Sequence, residues 1–244
     1  MDTITQVRLP DGTTLTLGDW VDKPVFSTVD FLTGFTDPVL EAFGYNVGDV
    51  IPTTSNATVK RTSSERDTNI AAAGGNVSTE ELLVYALRPE FWELQNSGST
   101  PTDMTSADLR LPGQPLMRPT TLGPFSVWMN LRFKISEKVY ADAGVQYFNA
   151  GFGIFGMGPV VPGTPAAAAG TPGRTYANLG WPGQDAVRSF AVPHHVGGTE
   201  KYTVEWRNWM SRPITFTDEN QAQITGGVVQ VRTYLDGMRK RPTA

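Results

Sequence analysis

Six residues in the middle of the chain match a cofactor-binding pattern. Gly151-Phe152-Gly153-Ile154-Phe155-Gly156 fits G-x-G-x-x-G, in which glycines let backbone approach a dinucleotide pyrophosphate held at a helix N-terminus. Met157-Gly158-Pro159 and a Pro/Gly-rich stretch follow, so no helix can take up that role, and no βαβ alternation surrounds the motif. The pattern predicts a glycine-rich turn or close backbone packing, and no cofactor. His194 and His195 are the only two histidines. Adjacent residues of a strand face opposite ways, so the two cannot readily share one metal; a turn or interface role is expected, and no metal site. A Ser-His-Asp triad lacks the G-x-S-x-G elbow that would place its serine. The acid pairs Glu80-Glu81 and Asp218-Glu219 are the types glycosidase chemistry needs, but adjacent acids in turn-like contexts read as solvent-facing. Trp181, Trp206 and Trp209 could form a sugar-stacking platform, while core or subunit-interface packing is the simpler account. Arg239-Lys240-Arg241 could touch phosphate or lipid headgroups, against the plainer reading of a solubilising tail. No catalytic, cofactor-binding or metal residue is assigned, and the chain reads as a non-enzyme.

Bulk composition narrows the classes further. The chain has 244 residues, 18% charged side chains and a formal net charge of −4, a poor match to the basic surface that coats nucleic acid. With 39% hydrophobic and 10% aromatic residues it has material for a core. Gly 25 and Pro 18 suit many turns between short strands better than a helical bundle. There is no cysteine, hence no disulfide, thiolate metal site or cysteine nucleophile. The opening MDTITQVRLPDG lacks the basic and apolar regions of a signal peptide, and no apolar run approaches the ~20 residues that span a bilayer. A soluble protein made in the cytoplasm is the expectation.

The elements that would position these residues are mostly strands. Gly197 to Pro213 and Gly226 to Arg241 each begin at a glycine pair, alternate, and stop at a basic residue and proline. Tyr202, Val204 and Trp206 should face one way and Lys201, Thr203, Glu205 and Arg207 the other; Val229, Val231, Thr233 and Leu235 should oppose Gln230, Arg232 and Tyr234. Val229, Val231 and Leu235 are predicted buried, with Arg232 and Tyr234 towards solvent or a neighbour. Phe125 to Ile135 alternates most clearly, and with a turn at Ser136-Glu137-Lys138 and a return over Val139 to Ala143 it predicts a hairpin. Thr3 to Leu9 and Thr13 to Leu17 flank Pro10-Asp11-Gly12, a second hairpin. Val25 to Phe35 is an apolar run; so is Leu82 to Leu87 within Val77 to Leu94, which Pro89 interrupts and which reads as a buried strand or a short helix, with Val84 and Tyr85 favouring the strand. Thr36 to Gly44 predicts the one short helix, with Thr36 or Asp37 as N-cap, Pro38 at its first position and Gly44 ending it left-handed. Lys60 to Asp67 is a charge knot that reads as a solvated turn or exposed strand, or as a subunit contact.

Together, GGNVSTEELLVYAL (74–87), FSVWMNLRFKISEKVYADAGVQYFNAGFGIFG (125–156), KYTVEWRNW (201–209) and VVQVRTYLDGMRKRP (228–242) resemble the jelly-roll capsid proteins of tailless icosahedral bacteriophages. The resemblance implies an all-β chain, a jelly-roll type sandwich or barrel with an N-terminal arm, one short helix and long loops. Residues 1–60 would be the arm, with its short hairpin and helix, and residues 61–244 one elaborated roll with long loops at 95–121 and 157–183. It also implies a structural protein that self-assembles into an icosahedral shell in the host cytoplasm and resides in the virion. Its partners would be copies of itself and other virion proteins, with a weak contact to an internal membrane or the genome through Arg239, Lys240 and Arg241, and no small-molecule substrate. Two alternatives stand beside it: a lectin-like sandwich using Trp181, Trp206 or Trp209, and an enzyme that gathers Asp218, Glu219, Glu80 or His194 in one pocket.

Overall fold

The structure is a computed structural model and describes residues 6–9, 12–16, 18, 20–57, 60–70, 81–94, 127–148, 152–155, 176–179, 189–210, 212–216 and 227–240. Its regular elements are almost all strands: β1 (Gln6–Arg8), β2 (Thr14–Thr16), β3 (Trp20–Asp22), β4 (Val25–Leu32), β5 (Val39–Ala42), β6 (Leu82–Leu94), β7 (Met129–Ile135), β8 (Lys138–Gly144), β9 (Phe152–Phe155), β10 (Tyr176–Leu179), β11 (Ser189–Val196), β12 (Tyr202–Asn208) and β13 (Val228–Lys240). One sheet runs β11-β6-β13 and continues to β4 and β3, both of which pair with β13; the other runs β5-β12-β7-β8. All these pairings are antiparallel. Omitting the small β1–β2 and β9–β10 ribbons and β3, eight strands remain in chain order. The first, eighth, third and sixth make one sheet, and the second, seventh, fourth and fifth make the other. Two four-stranded sheets connected in this order are a single jelly roll.

Alternation places the core. Met129, Leu131, Phe133 and Ile135 of β7, Tyr202, Val204 and Trp206 of β12, and Val229, Val231 and Leu235 of β13 are all buried between the sheets, as a period of two requires. Arg232 and Tyr234 lie on the opposite face of β13 and are part-buried. Trp206 is the main tie between layers. From β12 it donates its indole N–H to Thr233 Oγ1 on β13 at 3.0 Å. It also meets Phe31 of β4 and Phe91 of β6 edge-on, with ring centroids 5.8 and 5.9 Å away. β6 runs on through Pro89, opposite Thr233. β11 pairs with β6 only as far as Ala86, so Pro89 sits where β6 has no second paired strand among the described residues, a position that tolerates the missing N–H.

The expected helix at 36–44 is instead β5, bounded by bends at Pro38 and Phe43. A two-turn helix does not stand alone in water, whereas the edge of β12 offers Val39 to Ala42 a partner for each residue and lets Ala42 and Leu40 pack against the core. The Asp37 carboxylate, expected to cap its own helix, accepts the Ser55 N–H at 3.0 Å instead. The left-handed residue that ends the segment is Phe43, φ 69°, and not Gly44. β4 and β5 also mean that the sheets take strands from both sides of residue 60, so the boundary expected there falls inside the sandwich.

The two hairpins form as read. β1 and β2 pair across Gly12, whose φ of 88° is one that glycine adopts without strain. β7 and β8 pair across Ser136 and Glu137, although the strand begins at Met129, after a helical turn at Val127–Trp128. The expected loops at 95–121 and, almost wholly, 157–183 lie outside the described residues.

Candidate functional site

Three charged or aromatic clusters and one apolar rim stand out. The first joins the ends of three strands. Each oxygen of the Glu81 carboxylate takes one donor, Lys240 Nζ at 2.6 Å and His195 Nε2 at 2.9 Å, and Trp20 packs edge-on against His195. The Lys240 hydrogen bond, helped by His195 and opposed by partial burial, holds the Glu81 carboxyl below its ordinary value. Lys240 therefore lies in β13 and is paired, and Arg239 is buried with a donor 3.4 Å from the Asn69 carbonyl. The expected solubilising tail is strand at both positions, while Arg241 lies outside the described residues, as do Glu80, Asp218, Glu219 and Trp181.

The second cluster closes the side of the sandwich where β8 and β11 face each other. His194 and His195 point to opposite faces of β11, as expected of neighbours, but on a strand and not a turn. His194 sits between Tyr140 of β8 and Phe190 of β11, 4.8 Å from each ring centroid, and Phe190 stacks on Phe133 of β7. Burial, with the nearby Lys138 charge adding to it, holds His194 below its ordinary value. Among the described residues no three His, Cys, Asp or Glu side chains gather as metal ligands would. Four residues of the G-x-G-x-x-G match form β9, paired antiparallel with β10, a strand where a dinucleotide fingerprint needs a loop opening a helix.

The third cluster was not legible in sequence. The charge knot at 60–67 divides: Lys60, Glu65 and Arg66 are exposed, with a turn at 65–67 as expected, while Arg61 and Asp67 point inward. Arg61 lies between Asp30 of β4, Nε to Oδ2 3.3 Å, and Asp67, Nη1 to Oδ1 2.9 Å, and both carboxylates are buried. Gln230 of β13 donates to Asp30 Oδ1 at 3.3 Å, and Ser64 donates its N–H and hydroxyl to Asp67 at 2.8 Å. Burial pushes Asp30 up even against the pull of Arg61. The 31-residue separation of Asp30 and Arg61 hid this pairing.

The apolar rim follows from register. Asn208 of β12 is opposite Met129 of β7, Arg207 is opposite Val39 of β5, and Asn130 of β7 is opposite Gly144 of β8. One end of this sheet therefore collects Val39, Val127, Tyr147, Trp209 and Met210, all exposed, from 38% for Val39 to 62% for Trp209. The tryptophans separate accordingly: Trp206 is core and Trp209 is rim, so they do not share a platform. Comparison of the chain with family models, with curated proteins and with solved structures finds no match.

Proposed function

We propose that this chain is a structural capsid protein that self-assembles, through one jelly roll, into the icosahedral shell of a virion. The observation that carries the reading is the apolar rim of Val39, Val127, Tyr147, Trp209 and Met210 on a single jelly roll. Five large apolar side chains gathered at one end of a sheet mark an interaction surface more often than a solvated one, and aromatic and Met side chains are the types enriched in subunit contacts. The sequence resemblance to jelly-roll phage coats supports the same reading. On it the partners are copies of the chain and other virion proteins. The lectin-like alternative retains Trp209 but loses Trp206, whose ring is closed inside the core.

The test is the assembly state of the purified chain, by negative-stain electron microscopy and analytical ultracentrifugation. Capsomers or closed shells are expected, and Trp209→Glu should lower assembly while leaving the melting temperature within a few degrees. A dispersed monomer at high concentration, with no virion containing the chain, refutes the proposal.

A further inference from the structure

β4 is an edge strand, and such an edge presents a row of unpaired N–H and C=O groups to any passing strand. Here the row is filled by residues 43–57 and 60–70, the strap that leaves β5 and lies against β4. The four alternate amides Phe26, Thr28, Asp30 and Leu32 each find an acceptor in it. Phe26 N–H goes to Asn69 Oδ1 at 2.9 Å, Thr28 N–H to Tyr45 Oη at 3.0 Å, Asp30 N–H to the Pro52 carbonyl at 3.0 Å and Leu32 N–H to Thr54 Oγ1 at 3.1 Å. The carbonyls are met as well. Tyr45 Oη donates to Thr28 O at 2.7 Å, Thr54 N–H to Asp30 O at 3.2 Å, Thr68 Oγ1 to Phe26 O at 3.2 Å and Asn69 Nδ2 to Pro24 O at 2.8 Å. Three of the four acceptors are side chains, so the strap imitates a ninth strand while pairing its own backbone with β4 only at isolated bridges, Asp30 with Thr53 and Ser27 with Thr68.

The remaining edges are blunted in other ways. β11 carries Pro193 and a register shift between Ser189 and His194, β8 pairs with β7 through a shift at Phe133/Lys134, and β5 has only four residues. Short, bulged or proline-bearing edges resist strand addition. β4 has eight residues and no proline, and no register shift interrupts its pairing with β13. Without the strap it would be the best template in the molecule. Arg61 adds an ionic tie in the second half of the strap, bound to Asp30 on the strand and Asp67 on the strap itself.

We propose that the strap is an autoinhibitory seal that withholds the β4 edge from strand addition by a second copy of this chain, and that Arg61 is its latch. An antiparallel pair of identical edges is two-fold symmetric and closes on itself, so the released edge of one copy is matched by that of another. The proposal does not rest on the capsid reading, since it is argued from the hydrogen bonds along the β4 edge and not from the apolar rim.

Amide hydrogen exchange of the full chain reads the seal directly. Arg61→Met should speed exchange at Phe26, Thr28, Asp30 and Leu32 by roughly tenfold or more, as expected for hydrogen bonds that lose their hold, while amides of β12 keep their rates. Tyr45→Phe, which leaves the latch intact, should speed Thr28 first. Association is then read by sedimentation in Arg61→Met carrying Ser27→Cys and Thr68→Cys. These positions face each other across an antiparallel bridge, within the range a disulfide spans, and the chain has no other cysteine. The oxidised form should sediment as wild type does, and reduction should add larger species with far-UV circular dichroism retained. Comparing two redox states of one variant cancels any shell formation through the rim. Unchanged exchange at the four amides in both variants, or equal association in the two redox states, overturns the proposal.

Discussion

Replacing Trp206 tests whether the two sheets meet as described. Trp206→Phe keeps an aromatic ring against Phe31 and Phe91 but deletes the N–H that Thr233 accepts. The loss includes the hydrogen bond and part of a ring that is 0% exposed. It should fall below the about 3–5 kcal/mol of truncating a buried tryptophan to alanine, at about 2 kcal/mol. Thr233→Val removes the other partner and leaves a buried indole N–H unsatisfied, at about 1–3 kcal/mol. Because each single variant already destroys the same bond, the double variant should cost less than the two singles together, by about 0.5–1.5 kcal/mol. Urea unfolding followed by far-UV circular dichroism measures all four corners of the cycle. With a slope of about 3 kcal/mol/M, 2 kcal/mol moves the midpoint by roughly 0.7 M. Strictly additive single effects, or a Trp206→Phe midpoint within about 0.2 M of wild type, would show that the indole does not bridge β12 and β13.

Three further outcomes are expected. A Cβ on Gly237 would stand 2.1 Å from the Leu83 carbonyl oxygen at the β6–β13 register shift, so Gly237→Ala should cost about 1–3 kcal/mol by urea midpoint, whereas Gly44→Ala, with open space around it, should be neutral. His194 is held below its ordinary value in the fold, so the folded chain binds fewer protons there than the unfolded one. That contribution is complete above about pH 6.5 and is lost as pH falls through the folded value; His194→Phe should flatten this part of the melting-temperature profile between pH 7.5 and 5, and an identical profile in both proteins would refute the assignment. Glu81, held low chiefly by Lys240, contributes stability present above its unfolded value and lost as pH falls through the folded one. Glu81→Gln should therefore cost about 0.5–1 kcal/mol at pH 7, in the range for part-exposed pairs, and the difference from wild type should shrink in acid thermal melts.

Alternation made the strands legible where one face is buried and the other polar. Met129 to Ile135, Tyr202 to Asn208 and Val228 to Leu235 carry that signal, and their inward residues are the ones the core contains. The segment at 36–44 misled because caps are local signals while strand pairing is not: Thr36, Asp37 and Pro38 satisfy the grammar of a helix start, yet β12 brings a hydrogen-bonding edge from more than 150 residues away. A shorter separation, 31 residues, concealed the Arg61 latch, because Asp30 belongs to another strand and the knot's own opposite charges looked sufficient. At 194–195 the parity of a strand was read correctly, but what each ring meets, Tyr140 on one side and Glu81 on the other, depends on which strands lie alongside. The rim is likewise a product of register, assembled from strand ends that no local window contains.

The position of β13 in the sheet has a consequence for how the chain is made. It lies between β4 and β6 and pairs with both along their lengths, yet among the described strands it is made after all the others. Before it emerges, β4 and β6 have no common neighbour, and each presents an edge of unpaired N–H and C=O groups beside an apolar inner face. The β5-β12-β7-β8 sheet, by contrast, has all its strands once residue 208 is made. Long-range pairings of this kind are slow to form and leave sticky intermediates. Ribosome-bound chains halted before residue 228 should therefore recruit holdase chaperones, and release of the following thirteen residues should end that dependence in a single cooperative step.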